Sequence, residues 1–220
     1  MRISSRWWVP AMLVVAAGPL AAQGSGDWTT YGGNDWNQRY STLKSITPAN
    51  VSQLVPRKIF QTGISKLGSF ENTPLVQNGV MYVTTPSLKA VALNAATGKE
   101  IWTFDPAAHN NGTVVRLRNR GVAHWKGAEG ERIFHFVRDR VYALDAKSGA
   151  HIPSFGKAGF IDLREDLGVD PATAVIEMTS PGAVSMSARS SGCTDATGSG
   201  SMASSADVRR VIEPVCQCSS

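Results

Sequence analysis

A segment of this chain occurs twice, and that repetition restricts the possible folds more than any other feature. Val91 to Phe104 reads VALNAATGKEIWTF, and Tyr142 to Phe155 reads YALDAKSGAHIPSF. Leu93 aligns with Leu144, Asn94 with Asp145, Gly98 with Gly149, Ile101 with Ile152 and Phe104 with Phe155, at a constant offset of 51 residues. Upstream, Val80–Val83 parallels Arg132–His135, each after a glycine-containing turn. Short β-type runs at 57–62, 73–76, 80–85, 90–93 and 101–104 lie between turn signals, with no comparable helical period. A period near 40 to 50 residues with several short strands per unit is the signature of propeller blades. One four-stranded sheet cannot bury both of its faces, so each unit needs stacked neighbours. Chance similarity of two hairpins is the alternative, but it does not explain matching strands on both sides of the turn.

Composition agrees with a turn-rich β protein: 42% hydrophobic, 18% charged, with 21 Gly, 11 Pro and six Trp in 220 residues. The formal charge of +5 falls to +3 when Arg2 and Arg6 are set aside. No run of Lys and Arg with interleaved aromatics is present to follow a phosphate backbone, so nucleic acid is not an expected partner. Arg2 and Arg6 form the basic start of an export signal, and Trp7 to Leu20 its uncharged apolar stretch. Small residues at Ala21–Ala22 suit cleavage before Gln23. That stretch is shorter than the ~20 residues a membrane-spanning helix needs. The expectation is a signal peptide over 1–22 and a mature chain that is periplasmic or secreted. A buried N-terminal helix would have to accommodate Pro10, Gly18 and Pro19.

The text changes near Ser185. Residues 185–220 are rich in Ser, Gly and Ala, carry no aromatic residue, and hold the three cysteines Cys193, Cys216 and Cys218. This segment reads as a disordered tail, or as out-of-frame text after a truncated gene, and its cysteines have no metal-ligand spacing. The domain division is therefore 1–22 signal, 23–184 patterned β region and 185–220 low-complexity tail.

Between Trp28 and Val184 the sequence resembles the quinoprotein dehydrogenases that use pyrroloquinoline quinone (PQQ). Trp36-Asn37-Gln38-Arg39-Tyr40-Ser41 and Leu43 match the family opening, and Ile46-Thr47-Pro48-Ala49-Asn50-Val51 continues it. Glu71-Asn72-Thr73-Pro74-Leu75-Val76 followed by Gly79-Val80-Met81-Tyr82-Val83 is similar to the first cofactor-contacting strand. Ala92 to Trp102 resembles the tryptophan docking motif that locks neighbouring blades. Pro153 to Leu163 looks like the membrane-associated glucose and polyol branch, and Val114-Val115 stands where the alcohol branch usually has adjacent cysteines. The resemblance implies an all-β fold: a partial β-propeller of about three blades from an eight-bladed ring.

The resemblance also implies chemistry. PQQ is a flat o-quinone with three carboxylates, and in the complete family it works beside Ca²⁺. Arg120, in Asn119-Arg120-Gly121, matches the arginine that pairs with a PQQ carboxylate; a surface charge beside Arg116 and Arg118 is the alternative. Glu71 resembles the acidic residue at the cofactor's edge, and otherwise reads as a solvated strand end. Thr179 matches a threonine that donates a hydroxyl hydrogen bond to the cofactor, and otherwise reads as a turn residue. His124 and Trp125 follow the arginine and are further candidates for the same pocket, although a lone His is more often structural. The implied activity is oxidation of a sugar or polyol hydroxyl, with electrons passed to a respiratory quinone or cytochrome. The family's metal ligands, aromatic floor and catalytic aspartate match nothing in this text, so the chain as given is expected to be inactive alone. The competing reading is an exported, non-catalytic propeller scaffold.

Overall fold

A computed structural model describes residues 26–34, 36–62, 70–112, 118–127 and 130–182. Regular structure among them is strand, apart from 3₁₀ turns at Val51–Gln53 and Pro106–His109. The first sheet comprises β1 (Leu75–Gln77), β2 (Val80–Thr84), β3 (Ala90–Asn94) and β4 (Glu100–Phe104), in that spatial order. The second comprises β5 (Ala123–Gly127), β6 (Gly130–Val137), β7 (Arg140–Asp145) and β8 (Phe160–Asp162), again in order. All neighbours are antiparallel. These are two complete blades. The segments before β1 and after β8 add single bridges, Trp28 to Val76 and Met178 to Arg138, so among the described residues the expected third blade is not a complete sheet.

The repeat holds at the level of register. Met81 faces Leu93 and Ile133 faces Leu144; Val80 faces Asn94 and Arg132 faces Asp145. The turns that follow use the same chemistry. Asn94 Oδ1 accepts from the backbone N–H groups of Ala96 and Thr97, while Asp145 Oδ1 accepts from the N–H and hydroxyl of Ser148. The hydrogen bonds of Ser148 are the main reason the Asp145 carboxyl is held below its ordinary range. In each turn a glycine in left-handed backbone, Gly98 or Gly149, donates its N–H to the carbonyl of Asn94 or Asp145. Only glycine takes that conformation without strain.

Two expectations fail. Residues 57–62 form no strand; Phe60 instead packs against Val83, Val91 and Leu93 on the outer face of the first sheet. Residues 152–155, aligned with β4, are not a strand either. Pro153 has no N–H to give to a ladder, so only His151 bridges to Leu144 before the chain turns and returns as β8.

The core runs between the blades. Leu75, Tyr82, Leu88, Ala92, Trp102 and Phe104 of the first sheet's segment meet Val122, Ile133, Tyr142, Leu144 and Ala146 of the second. Trp102 lies over the second blade's turn: its indole N–H donates to the Ala146 carbonyl at 3.1 Å, and the Tyr82 hydroxyl reaches the same oxygen at 3.3 Å. A Cβ on Gly149 would come within 2.5 Å of the indole, so that glycine is required twice over. The stem of Lys58 occupies the corresponding place over Gly98. His135 is fully buried in β6, with Nε2 2.6 Å from the Leu88 carbonyl and, among the described residues, no partner for Nδ1.

Candidate functional site

Both sheets start their inner strands at the same end, and the segments leading into those strands lie side by side. The Thr73 N–H donates to the Arg120 carbonyl at 3.0 Å, and the Arg120 N–H donates to the Thr179 carbonyl at 2.8 Å. Three stretches far apart in sequence thereby form one rim. Glu71, Arg120 and Thr179 stand on successive members of it.

Their side chains meet. One terminal nitrogen of the Arg120 guanidinium lies 3.2 Å from Glu71 Oε2, and the other donates to the Thr179 hydroxyl at 2.9 Å and the Ser180 hydroxyl at 3.3 Å. Arg118 Nε approaches Glu71 Oε1 at 3.6 Å. About a third of the Arg120 and Glu71 side-chain surface stays exposed, so the group is accessible from the sheet end. Arg118 and Ser180 are additions that the sequence reading missed: Arg118 looked like a plain surface charge, and Ser180 like part of a turn.

Asn119 holds the arginine in place. It is 5% exposed; its amide NH₂ donates to the Phe136 carbonyl at 2.7 Å and its Oδ1 accepts the Gly121 N–H at 2.8 Å. Gly121 has φ of +130°, and a Cβ there would sit 2.9 Å from the Thr73 carbonyl oxygen. The Asn-Arg-Gly order thus has a physical reason: the asparagine ties the turn to β6, and the glycine lets two rim segments touch.

His124 and Trp125 are not part of the rim. His124 Nε2 is 3.3 Å from Glu131 Oε2, and its ring stacks near Tyr82 between the blades. Trp125 lies beneath the Arg132 guanidinium at 5.2 Å. Both belong to the hairpin of β5 and β6, and alternation along β5 turns them toward the blade faces. The hydrogen bond from Lys126 is the largest cause holding Glu131 below the ordinary carboxylate range.

Guanidinium and hydroxyl donors at the exposed end of a β array suit a carboxylate, because the planar guanidinium can give parallel hydrogen bonds. The donor set therefore fits part of the rim of a tricarboxylate quinone. Among the described residues no cluster of three or more His, Cys, Asp or Glu could hold a metal ion, so no Ca²⁺ ligands are assigned. The cysteines, the export segment and Val114-Val115 lie outside the described residues.

Residues 28–206 match the family model of the PQQ glucose/ethanol/alcohol dehydrogenase β-propeller domain. The chain belongs to this family. The match runs past the change of text near Ser185. The chain is 40% identical over 128 residues to the dehydrogenase subunit of the quinone alcohol dehydrogenase of Gluconobacter oxydans (strain 621H), covering 56% of this chain and 16% of that protein. It is 32% identical over 185 residues to the quinoprotein glucose dehydrogenase of Escherichia coli (strain K12), covering 76% and 23% respectively. The crystal structure of the quinohemoprotein alcohol dehydrogenase of Comamonas testosteroni superposes with a TM-score of 0.50 at 31% identity, over 64% of this chain and 20% of that one. The chain thus spans a quarter or less of the length of these relatives. Members named for alcohol and for glucose are both similar to this quinoprotein chain.

Proposed function

We propose that this chain is the N-terminal part of an exported PQQ-dependent dehydrogenase and that Glu71, Arg120 and Thr179 form one side of its cofactor rim. The observation that carries the reading is the convergence of two family-matched side chains, Glu71 and Thr179, from segments 49 and 59 residues away, on the guanidinium of the third, Arg120. Arg120 would grip a cofactor carboxylate, Thr179 and Ser180 would orient the guanidinium, and Glu71 would hold it from the other side. When bound, PQQ supplies the two-electron acceptor for oxidation of a CH–OH group. The substrate we favour is a sugar or polyol, on the strength of the 153–163 text and of Val114-Val115 in place of adjacent cysteines. Electrons would pass to a respiratory quinone or cytochrome after export to the periplasm. An exported scaffold would not need a partly buried arginine held by an acid and two hydroxyls, which favours the dehydrogenase reading.

Calorimetric titration of the 220-residue chain with PQQ tests this. A charged hydrogen bond contributes roughly 1.5–3 kcal/mol, so one guanidinium with its neighbours supports binding near 1 mM, which corresponds to about 4 kcal/mol. Arg120→Gln should weaken binding about tenfold or more. Arg132→Gln, whose cation lies over Trp125, should leave it unchanged. Equal affinity of wild type and Arg120→Gln would remove the site.

A further inference from the structure

A second group of arginines, separate from the rim, surrounds a cavity of about 250 Å³ between the two blades. It lies at the same end of the sheets, farther along the strand order, where the connection from β2 to β3, the 3₁₀ turn after β4 and the turn from β6 to β7 meet. Arg138, Arg140, Arg164 and Asp139 are its charged lining residues. Ser87, Asn110 and Tyr142 add polar groups, and Leu88, Pro106 and Val137 an apolar wall.

The three cations differ in what already engages them. Arg164 is paired with two carboxylates, 3.0 Å from Asp139 and 2.7 Å from Asp162. Arg138 pairs with Glu177, at 3.8 Å. Arg140 forms no ion pair within 4 Å among the described residues, although it faces Asp162 across the β7–β8 ladder and, after the side-chain hydrogen bond from Arg164, its charge helps hold that carboxyl below its ordinary range; one of its terminal nitrogens reaches the His109 carbonyl at 3.3 Å and the Tyr142 hydroxyl at 3.5 Å. Its guanidinium carbon lies over Phe160, 4.5 Å from the ring centre. A partly buried guanidinium thus packs on an aromatic ring with no carboxylate within 4 Å among the described residues. Asp139, the carboxylate among the described lining residues, is taken by Arg164. A planar cation in that state is complementary to a carboxylate, and the apolar wall suits a short hydrocarbon body better than a fully polar anion. At about 30 Å³ per water, the cavity has room for a molecule of a few carbon atoms.

We propose that this cavity is a binding site for a short-chain carboxylate, with Arg140 as its anchor and Arg138 and Asn110 closing around the anion. The site does not depend on the cofactor reading of the rim.

Titration of the full chain with butyrate, followed through the Arg side-chain N–H and Asn110 amide signals by NMR, tests it. Saturable shifts at Arg140 and Asn110 are expected, with a dissociation constant on the order of 1–10 mM for one such anchor. Arg140→Gln should weaken binding at least tenfold. Ala107 also lines the cavity, and Ala107→Leu, which fills it without altering any charge, should likewise abolish binding while thermal unfolding reports an intact fold. Arg120→Gln should bind butyrate as wild type does. Inorganic phosphate should bind more weakly than butyrate. Absence of saturation, retention of affinity in Arg140→Gln, loss in Arg120→Gln, or phosphate binding as tight as butyrate would each overturn the proposal.

Discussion

Trp102→Ala should unfold at a free energy about 3–5 kcal/mol lower than wild type, the range for removing a large buried aromatic side chain. The effect has one main source. Trp102 is 8% exposed and spans the gap between blades, with its ring against Gly149 and its N–H on the Ala146 carbonyl. The Ala146 oxygen keeps the Tyr82 hydroxyl after the substitution, so lost packing outweighs any orphaned acceptor. Trp102→Phe retains much of the ring and should cost about 1 kcal/mol for the hydrogen bond plus a smaller packing loss. Urea unfolding of the three proteins checks this. A loss below about 1 kcal/mol in Trp102→Ala would mean that the blades do not depend on the dock.

Acid should destabilise the fold through His135 before most carboxylates titrate. Burial pushes the His135 imidazole down to about 4 from its ordinary 6.5, and the bond to the Leu88 carbonyl only partly offsets this. The neutral ring is the one the core accepts. Its contribution is fully present above pH 6.5, where both states are neutral. It is lost as pH falls toward 4, because the unfolded chain takes up a proton that the folded chain refuses. At 1.36 kcal/mol per pKa unit the loss between pH 7 and 4.5 is about 2–3 kcal/mol. His109, held low by burial and by neighbouring His151, acts in the same direction. Urea midpoints across that range should slope steeply in wild type and much less in His135→Leu. Parallel slopes would show that His135 is not the titrating group.

The blade repeat was legible because its information is local. Asn94 and Asp145 build the same turn from side chains within three residues of themselves, and that turn follows β3 in the first blade and β7 in the second, at matching places in the strand register. The alignment failed where one residue changed the backbone chemistry. Pro153 stands at the position of Trp102, and it both ends the repeat as a strand and leaves the second blade without the corresponding indole. The strand expected over 57–62 failed for a different reason: its apolar residue covers a sheet face and has no ladder to join.

At the rim, residue identities could be read from family-like text, but their contacts could not. The pairing of Thr73 with Arg120 and of Arg120 with Thr179 joins residues 47 and 59 apart, and nothing periodic marks it. Asn119 belongs to the Asn-Arg-Gly motif, yet its role as the tie to Phe136 emerges only when β6 is in place. His124 and Trp125 were attractive by proximity in sequence. Strand alternation directs them to Glu131 and Arg132 instead.

If Arg120 receives a carboxylate of a quinone cofactor, removing the cofactor's negative charges must remove the advantage that this arginine confers. The chain and its Arg120→Gln variant are each titrated with PQQ and with the PQQ trimethyl ester, which keeps the ring and removes the three negative charges. Wild type should prefer the free acid by about tenfold, equivalent to 1.4 kcal/mol, and Arg120→Gln should bind acid and ester alike. A wild-type chain that does not distinguish the two, or a preference that survives in Arg120→Gln, would contradict the assignment.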